Sequence, residues 1–214
     1  MVRAGSVLVN VVTGFRLRFV RTAADTGGTL LEVEATYPPG GPAPPLHLHP
    51  EQEERFEALR GSVRVRLGGE ERELREGERL RIPPRVPHAM WNAGTAAATL
   101  RWETRPALRT EDLFERLMTL AALGRVDRHG TPGLLDLAIL FPAHRREMRI
   151  ARPPYVVQRA LFGLLAPLAC ALGRDRLPAA EETSAGRSAT FGPGLDAAVS
   201  GTREPDLRAA AGGR

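Results

Sequence analysis

From residue 6 to residue 105, apolar and polar side chains alternate in short runs broken by glycine and proline. A period of two places successive side chains on opposite faces of a β-strand. The runs predict strands at Val7–Val12, Phe15–Val20, Thr29–Tyr37, His47–His49, Glu54–Leu59, Ser62–Leu67, Arg72–Arg75, Leu80–Ile82, His88–Asn92 and Ala97–Glu103. Gly27-Gly28, Gly40-Gly41 and Gly68-Gly69 supply breaks between them. Many short strands separated by turns predict an all-β sandwich or barrel. The Gly68-Gly69 turn also predicts a register. A two-residue loop pairs Leu67 with Glu70, Arg66 with Glu71, Arg64 with Glu73 and Val63 with Leu74. Arg66–Glu71 and Arg64–Glu73 then become cross-strand ion pairs, and Val63, Val65, Leu67 and Leu74 share the other face.

After Pro106 the period changes to that of a helix. Thr110 is placed to cap a first helix, with Glu111 and Asp112 in its first turn and Gly124 at its end. Leu113, Leu117 and Leu120 form its apolar stripe. A second helix is predicted from Leu134 to Phe141, stopped by Pro142. A third runs from Tyr155 to about Leu172, with a kink expected at Pro167. Its uncharged stretch, Ala160–Gly173, falls short of the ~20 residues that span a bilayer. Arg145, Arg146, Arg149, Arg152 and Arg159 precede that stretch, and Arg174 and Arg176 follow it. The first reading is a helix packed on the barrel or on a second subunit. The second is peripheral contact with an anionic membrane through residues 143–176, and a true span comes third. Residues 177–214 are rich in Ala, Gly, Ser, Thr and charge and are expected to be disordered. Three regions result: a β-barrel over 1–108, a helical extension over 109–176 and the tail.

Composition narrows the class. The chain has 214 residues and 43% hydrophobic content, enough for one good core plus an appendage. Its one cysteine, Cys170, cannot form an internal disulfide, and the N-terminus reads as a strand rather than a signal peptide. A cytoplasmic location is expected. All 30 basic residues are arginine. Aromatics are scarce and the arginines of the first half alternate with glutamates, so no nucleic-acid partner is expected.

The chemistry is concentrated in residues 41–61 and 77–92. His47 and His49 stand two apart, so a strand presents both imidazoles to one side. Glu51, Glu53 and Glu54 follow closely. Strand parity sorts these carboxylates. With Glu54 inward, Phe56 and Ala58 are also inward, while Arg55 and Glu57 face water. With Glu53 inward, Arg55 and Glu57 would be buried at a cost of several kcal/mol. Glu54 is therefore the better ligand and Glu53 the second. His88 shares a strand face with Met90 and Asn92. Two histidines and a carboxylate form a ligand set suited to iron and similar divalent ions.

These two stretches resemble the two conserved motifs of the cupin superfamily. The first reads Gly41, His47, His49, Glu54, Gly61; the second reads Gly77, Pro83, His88, Asn92. The resemblance covers roughly residues 5–105. It implies a mainly β fold, a cupin-type double-stranded β-helix (jelly-roll barrel), here followed by C-terminal α-helices. It also implies His47, His49, Glu54 and His88 as metal ligands. Arg85 stands where cupins usually carry a glycine in a left-handed turn, so it either costs about 1 kcal/mol there or adopts another turn. The helices after the barrel, with the run Arg105–Glu111, also look like a bacterial subgroup of small cupins.

One divalent ion (iron, manganese, zinc, nickel or copper) on these ligands keeps open positions for substrate. Phe56, Ala58, Val63, Val65, Met90 and Asn92 are the candidate substrate pocket. Glu53 and Glu54 are the candidates for proton transfer. Two functional classes follow. One is a metal-dependent dioxygenase-like or isomerase-like enzyme acting on a small organic molecule. The other is a small-molecule-binding module without turnover. A homodimer is the expected assembly. No P-loop, GxGxxG or GxSxG is present, which leaves nucleotide and serine-nucleophile chemistry without support.

Overall fold

A computed structural model of the chain describes residues 2–178. The expected disorder of the tail falls, from residue 179 onward, outside the described residues. Strands β1 (Val7–Val9), β2 (Arg16–Arg21), β3 (Leu31–Tyr37), β4 (His47–Leu48), β5 (Glu53–Arg60), β6 (Ser62–Leu67), β7 (Glu70–Arg75), β8 (Arg79–Ile82), β9 (His88–Trp91) and β10 (Ala98–Arg105) come first. They are followed by α1 (Thr110–Ala122), α2 (Leu134–Ala143), β11 (Arg149–Ile150) and α3 (Tyr155–Ala171). Two antiparallel sheets form, ordered β1-β2-β3-β10-β5-β8 and β11-β4-β9-β6-β7.

Every predicted strand is present. β1 stops three residues early because Asn10 opens a turn, its side-chain oxygen accepting from the Val12 and Thr13 amides. The hairpin register is as predicted, from Leu67↔Glu70 to Val63↔Leu74. Arg66 bonds Glu71 at 3.0 Å. Arg64 and Glu73 lie opposite each other without bonding, since Glu73 accepts from Ser62 and Arg75.

The core lies between the sheets. Phe56 and Ala58 from β5, Val63 and Val65 from β6, Met90 from β9 and Leu100 from β10 are all buried there together. This is the inward set that parity assigns. A second cluster joins Leu17, Phe19 and Val33 to Met118 of α1, with Trp102 and Phe114 at its edge.

The C-terminal region corrects two expectations and adds one element. Thr110 is the first residue of α1 rather than its cap. Its hydroxyl donates to the Ala107 carbonyl and accepts from Gln52, so it ties the helix to the loop before β5. Pro142 lies inside α2, one residue before its end. Only Ala143 follows it in the helix, so the proline still marks the end of α2, which closes two residues later than predicted. The unforeseen strand β11 pairs with β4, Ile150 opposite His47 and Arg149 opposite Leu48. The C-terminal extension therefore contributes to a sheet of the β region. Among the described residues, no helix is long and apolar enough to cross a membrane.

Candidate metal centre

The site is assembled from both sheets. β4 brings His47 and, just past its end, His49. β9 brings His88, directly opposite His47 in register. β5, in the other sheet, brings Glu54. The three rings lie 4.5–5.4 Å apart between centroids. One ring nitrogen from each falls within 4.8 Å of the others. His49, His88 and Glu54 are buried, and His47 is half-buried.

Each imidazole is held from behind by a backbone carbonyl. His47 Nδ1 lies 3.0 Å from the Pro45 oxygen, His88 Nδ1 3.0 Å from the Val86 oxygen, and His49 Nδ1 2.7 Å from the Glu147 oxygen. A carbonyl only accepts, so Nδ1 carries the proton in all three rings. Each neutral ring then has its Nε2 lone pair free, the tautomer that metal ligation uses.

Glu54 faces two of those lone pairs. Its carboxylate oxygens lie 3.1 Å from His49 Nε2 and 3.0 Å from His88 Nε2. His49 Nε2 and one oxygen of Glu54 are buried without a hydrogen-bond partner. Acceptors held this close repel unless a cation or a proton lies between them. Neighbouring ligands about 2.1 Å from one octahedral ion stand about 3.0 Å apart. The donor set and its spacing therefore fit a divalent ion.

The electrostatics agree. Burial, then the charges of His88 and His49, pulls His47 down to about 3, so it stays neutral at ordinary pH. Burial works against charge on Glu54, but His49 and His88 outweigh it and hold the carboxyl below its usual range. Burial also opposes charge on His88, and the facing Glu54 carboxylate outweighs that and raises it, so in metal-free protein a proton on His88 Nε2 takes the place of the cation between the two groups.

The remaining candidates are placed as follows. Glu53 points outward, tied to Arg55 at 2.7 Å and Arg81 at 2.8 Å, so its carboxylate is not among the rings. The Arg81 bond first of all brings it down to about 2. Phe56, Ala58, Val63, Val65 and Met90 are core residues at most 7% exposed. Asn92 is committed to the loop after β9. Its amide donates to the Tyr37 and Ala96 carbonyls, and its oxygen accepts from Gly94 N. Arg85 keeps the left-handed turn, with φ of 67°, and its amide donates to the His49 carbonyl.

Three contributors were not foreseen. Trp102 donates its indole N–H to Glu54 at 3.1 Å and stacks on Phe56 at 5.3 Å. Alternation along β10, where Leu100 and Thr104 are buried, carries that signal. Tyr37 is driven up by burial and by the Glu54 charge. The Glu147 carbonyl on His49 leaves no trace in the sequence, because every residue has one.

The family model described as a cupin domain matches residues 33–102. No curated protein matches the chain. Among solved structures, the chain is 32% identical to TT1209 from Thermus thermophilus, covering 37% of this chain and 74% of that one, at a TM-score of 0.35. An RmlC-like cupin from Shewanella frigidimarina is 17% identical over 49% of this chain and 86% of its own, at 0.40. A protein named a predicted oxalate decarboxylase from Thermotoga maritima is 16% identical over 50% and 98%, at 0.43.

Proposed function

The chain belongs to the cupin superfamily, and from that premise we propose that it holds one divalent metal ion and acts there on a small organic molecule. His47, His49 and His88 would hold the ion through Nε2, with Glu54 as the fourth ligand. The single observation behind this reading is the pair of buried acceptors without hydrogen-bond partners, His49 Nε2 and a Glu54 oxygen, amid three inward Nε2 atoms. A divalent ion would supply Lewis-acid polarisation of a substrate oxygen or, if iron, dioxygen chemistry.

The chain's own groups have definite parts in this reading. The Pro45, Val86 and Glu147 carbonyls fix the ring tautomers and orientations. Trp102 orients Glu54. Phe56, Val65 and Met90 surround the inner side with apolar surface, which excludes water and strengthens every polar interaction beside it. If Glu54 is displaced from the ion by substrate, it is the carboxylate placed to move a proton. Glu53, bound to two arginines on the outer face, is not.

A second reading is a module that binds a small molecule without turnover. The close packing of Phe56, Ala58, Val63, Val65 and Met90 leaves little of their surface free, so in either reading the small molecule would meet the site from the half-buried His47 side. Elemental analysis of protein purified without a histidine tag tests the metal. Near one equivalent is expected, falling at least tenfold in a His47→Ala/His88→Ala variant. No metal in either protein after reconstitution would overturn the proposal. Dioxygen uptake that depends on an added diol or hydroxy-ketone would separate an oxygenase from the binding module.

A further inference from the structure

The segment 143–176 has a surface unlike the rest of the chain. It carries seven arginines against two acids, Glu147 and Asp175. That excess equals the formal net charge of the whole chain, +5, so the remainder is balanced. Arg146 is paired with Glu51, and Arg174 with Asp136. Arg145, Arg152, Arg159 and Arg176 have no ion pair among the described residues.

α3 turns Gln158, Phe162 and Ala169 inward. Its other side is apolar and open: Val156, Val157, Leu161, Leu164, Leu168 and Leu172 are all exposed, Val156 and Leu164 by nearly 80%. Arg159 is the helix's one charged residue. A row of large apolar groups left in water marks a surface that meets a partner. On the helix's inward side, between α2, β11 and α3, is a cavity of about 300 Å³. The rings of Phe141, Tyr155 and Phe162 line it, together with Arg145, Arg149 and Arg159. Arg149 is held over the Tyr155 ring at 3.8 Å, its guanidinium at the cavity wall.

We propose that α3 and the arginines around it are a docking surface for an anionic phospholipid bilayer, with the open leucine face of α3 lying in the interface and the arginines meeting the phosphate headgroups. An apolar helix face flanked by arginines is what such an interface selects. At 17 residues α3 can lie in a membrane surface but is too short to span it. A second copy of the chain fits less well, because a two-fold contact through this face would set two uncompensated groups of arginines together. The exposed leucines stand on α3, which supplies none of the groups placed at the metal centre, so the two proposals can fail independently.

The test is co-sedimentation of the full chain with vesicles of equal phosphatidylglycerol and phosphatidylcholine, beside vesicles of phosphatidylcholine alone. Binding at least tenfold stronger to the anionic vesicles is expected, weakening in 0.5 M salt. Arg152→Gln/Arg159→Gln should weaken it about fivefold per arginine removed. Leu164→Glu/Leu168→Glu should abolish it while circular dichroism and metal content stay unchanged, since both leucines are exposed. Absent binding, or equal binding to the two vesicles, would overturn the proposal. So would a wild-type dimer, seen by light scattering, that this variant turns into a monomer without any lipid binding. That outcome would assign the face to a second copy.

Discussion

The two sheets and the C-terminal segment use arginine in opposite ways. On the sheets each arginine tends to meet a glutamate across a strand pair: Arg18 with Glu34, Arg21 with Glu32, Arg66 with Glu71, and Arg79 and Arg101 with Glu57. Such exposed pairs contribute ~0–1 kcal/mol each, but they leave the outer face neutral and self-contained. Among the described residues, the C-terminal segment leaves arginines unpaired and sets leucines in water. The difference teaches that one region is finished on its own terms and the other is shaped for something outside it. β11 belongs to both. It extends the sheet beside His47, and the Glu147 carbonyl just before it orients His49.

The largest effect that would sharpen this contrast is inside the sheets. Glu54→Ala should cut metal retention against a dilute chelator by roughly tenfold or more. Glu53→Ala, one residue away on the paired outer face, should leave metal content unchanged and stability within about 1 kcal/mol. Equal losses from the two would mean that strand parity does not separate an inner chemistry from an outer charge balance.

A smaller effect concerns pH in the chelated, metal-free protein. His88 is raised by its Glu54 bond, and Glu54 is lowered by His49 and His88. A raised histidine stabilises fully below its ordinary value of 6.5 and loses that contribution as pH rises through its folded value. A lowered carboxylate stabilises above 4.5 and loses that contribution as pH falls through its folded value. The melting temperature of metal-free protein should therefore fall above about pH 7.5, where the opposing gain from His47, pulled down to about 3, is already complete, and His88→Gln should flatten that fall. A melting temperature that climbs from about pH 7.5 to about pH 9 would break the account.

The smallest effect is at Arg85. The side chain is exposed and the backbone is left-handed. Arg85→Gly removes about 1 kcal/mol of strain, partly offset by the freer unfolded chain. A gain of under ~1 kcal/mol in urea unfolding is expected. A loss would show that the arginine side chain holds the loop.

Much of the fold was legible because its signals are local. The alternation at Glu54-Arg55-Phe56-Glu57-Ala58 sets which side chains are buried, and the observed strand follows it. The Gly68-Gly69 turn fixes a register that needs only two adjacent strands. The misreadings lie where more than one element decides. Thr110 has a good capping residue's side chain, yet Gln52, 58 positions earlier, and the Ala107 carbonyl claim its hydroxyl. Arg64 and Glu73 face each other in register, but Ser62 and Arg75 reach the carboxylate first.

By itself the sequence determined the alternating strands, the inward parity of Glu54 and the nearness of His47 to His49, because a period of two acts within a few residues. Tertiary structure alone decided what surrounds those groups. It set His88 opposite His47, aimed the Trp102 indole at Glu54 and brought the Glu147 carbonyl across 98 positions to His49. It also decided that the leucines of α3 face solvent. A backbone carbonyl has no side-chain signature, and an apolar helix reads the same whether its outer face is covered or bare. Only the positions of the neighbouring elements separate those cases.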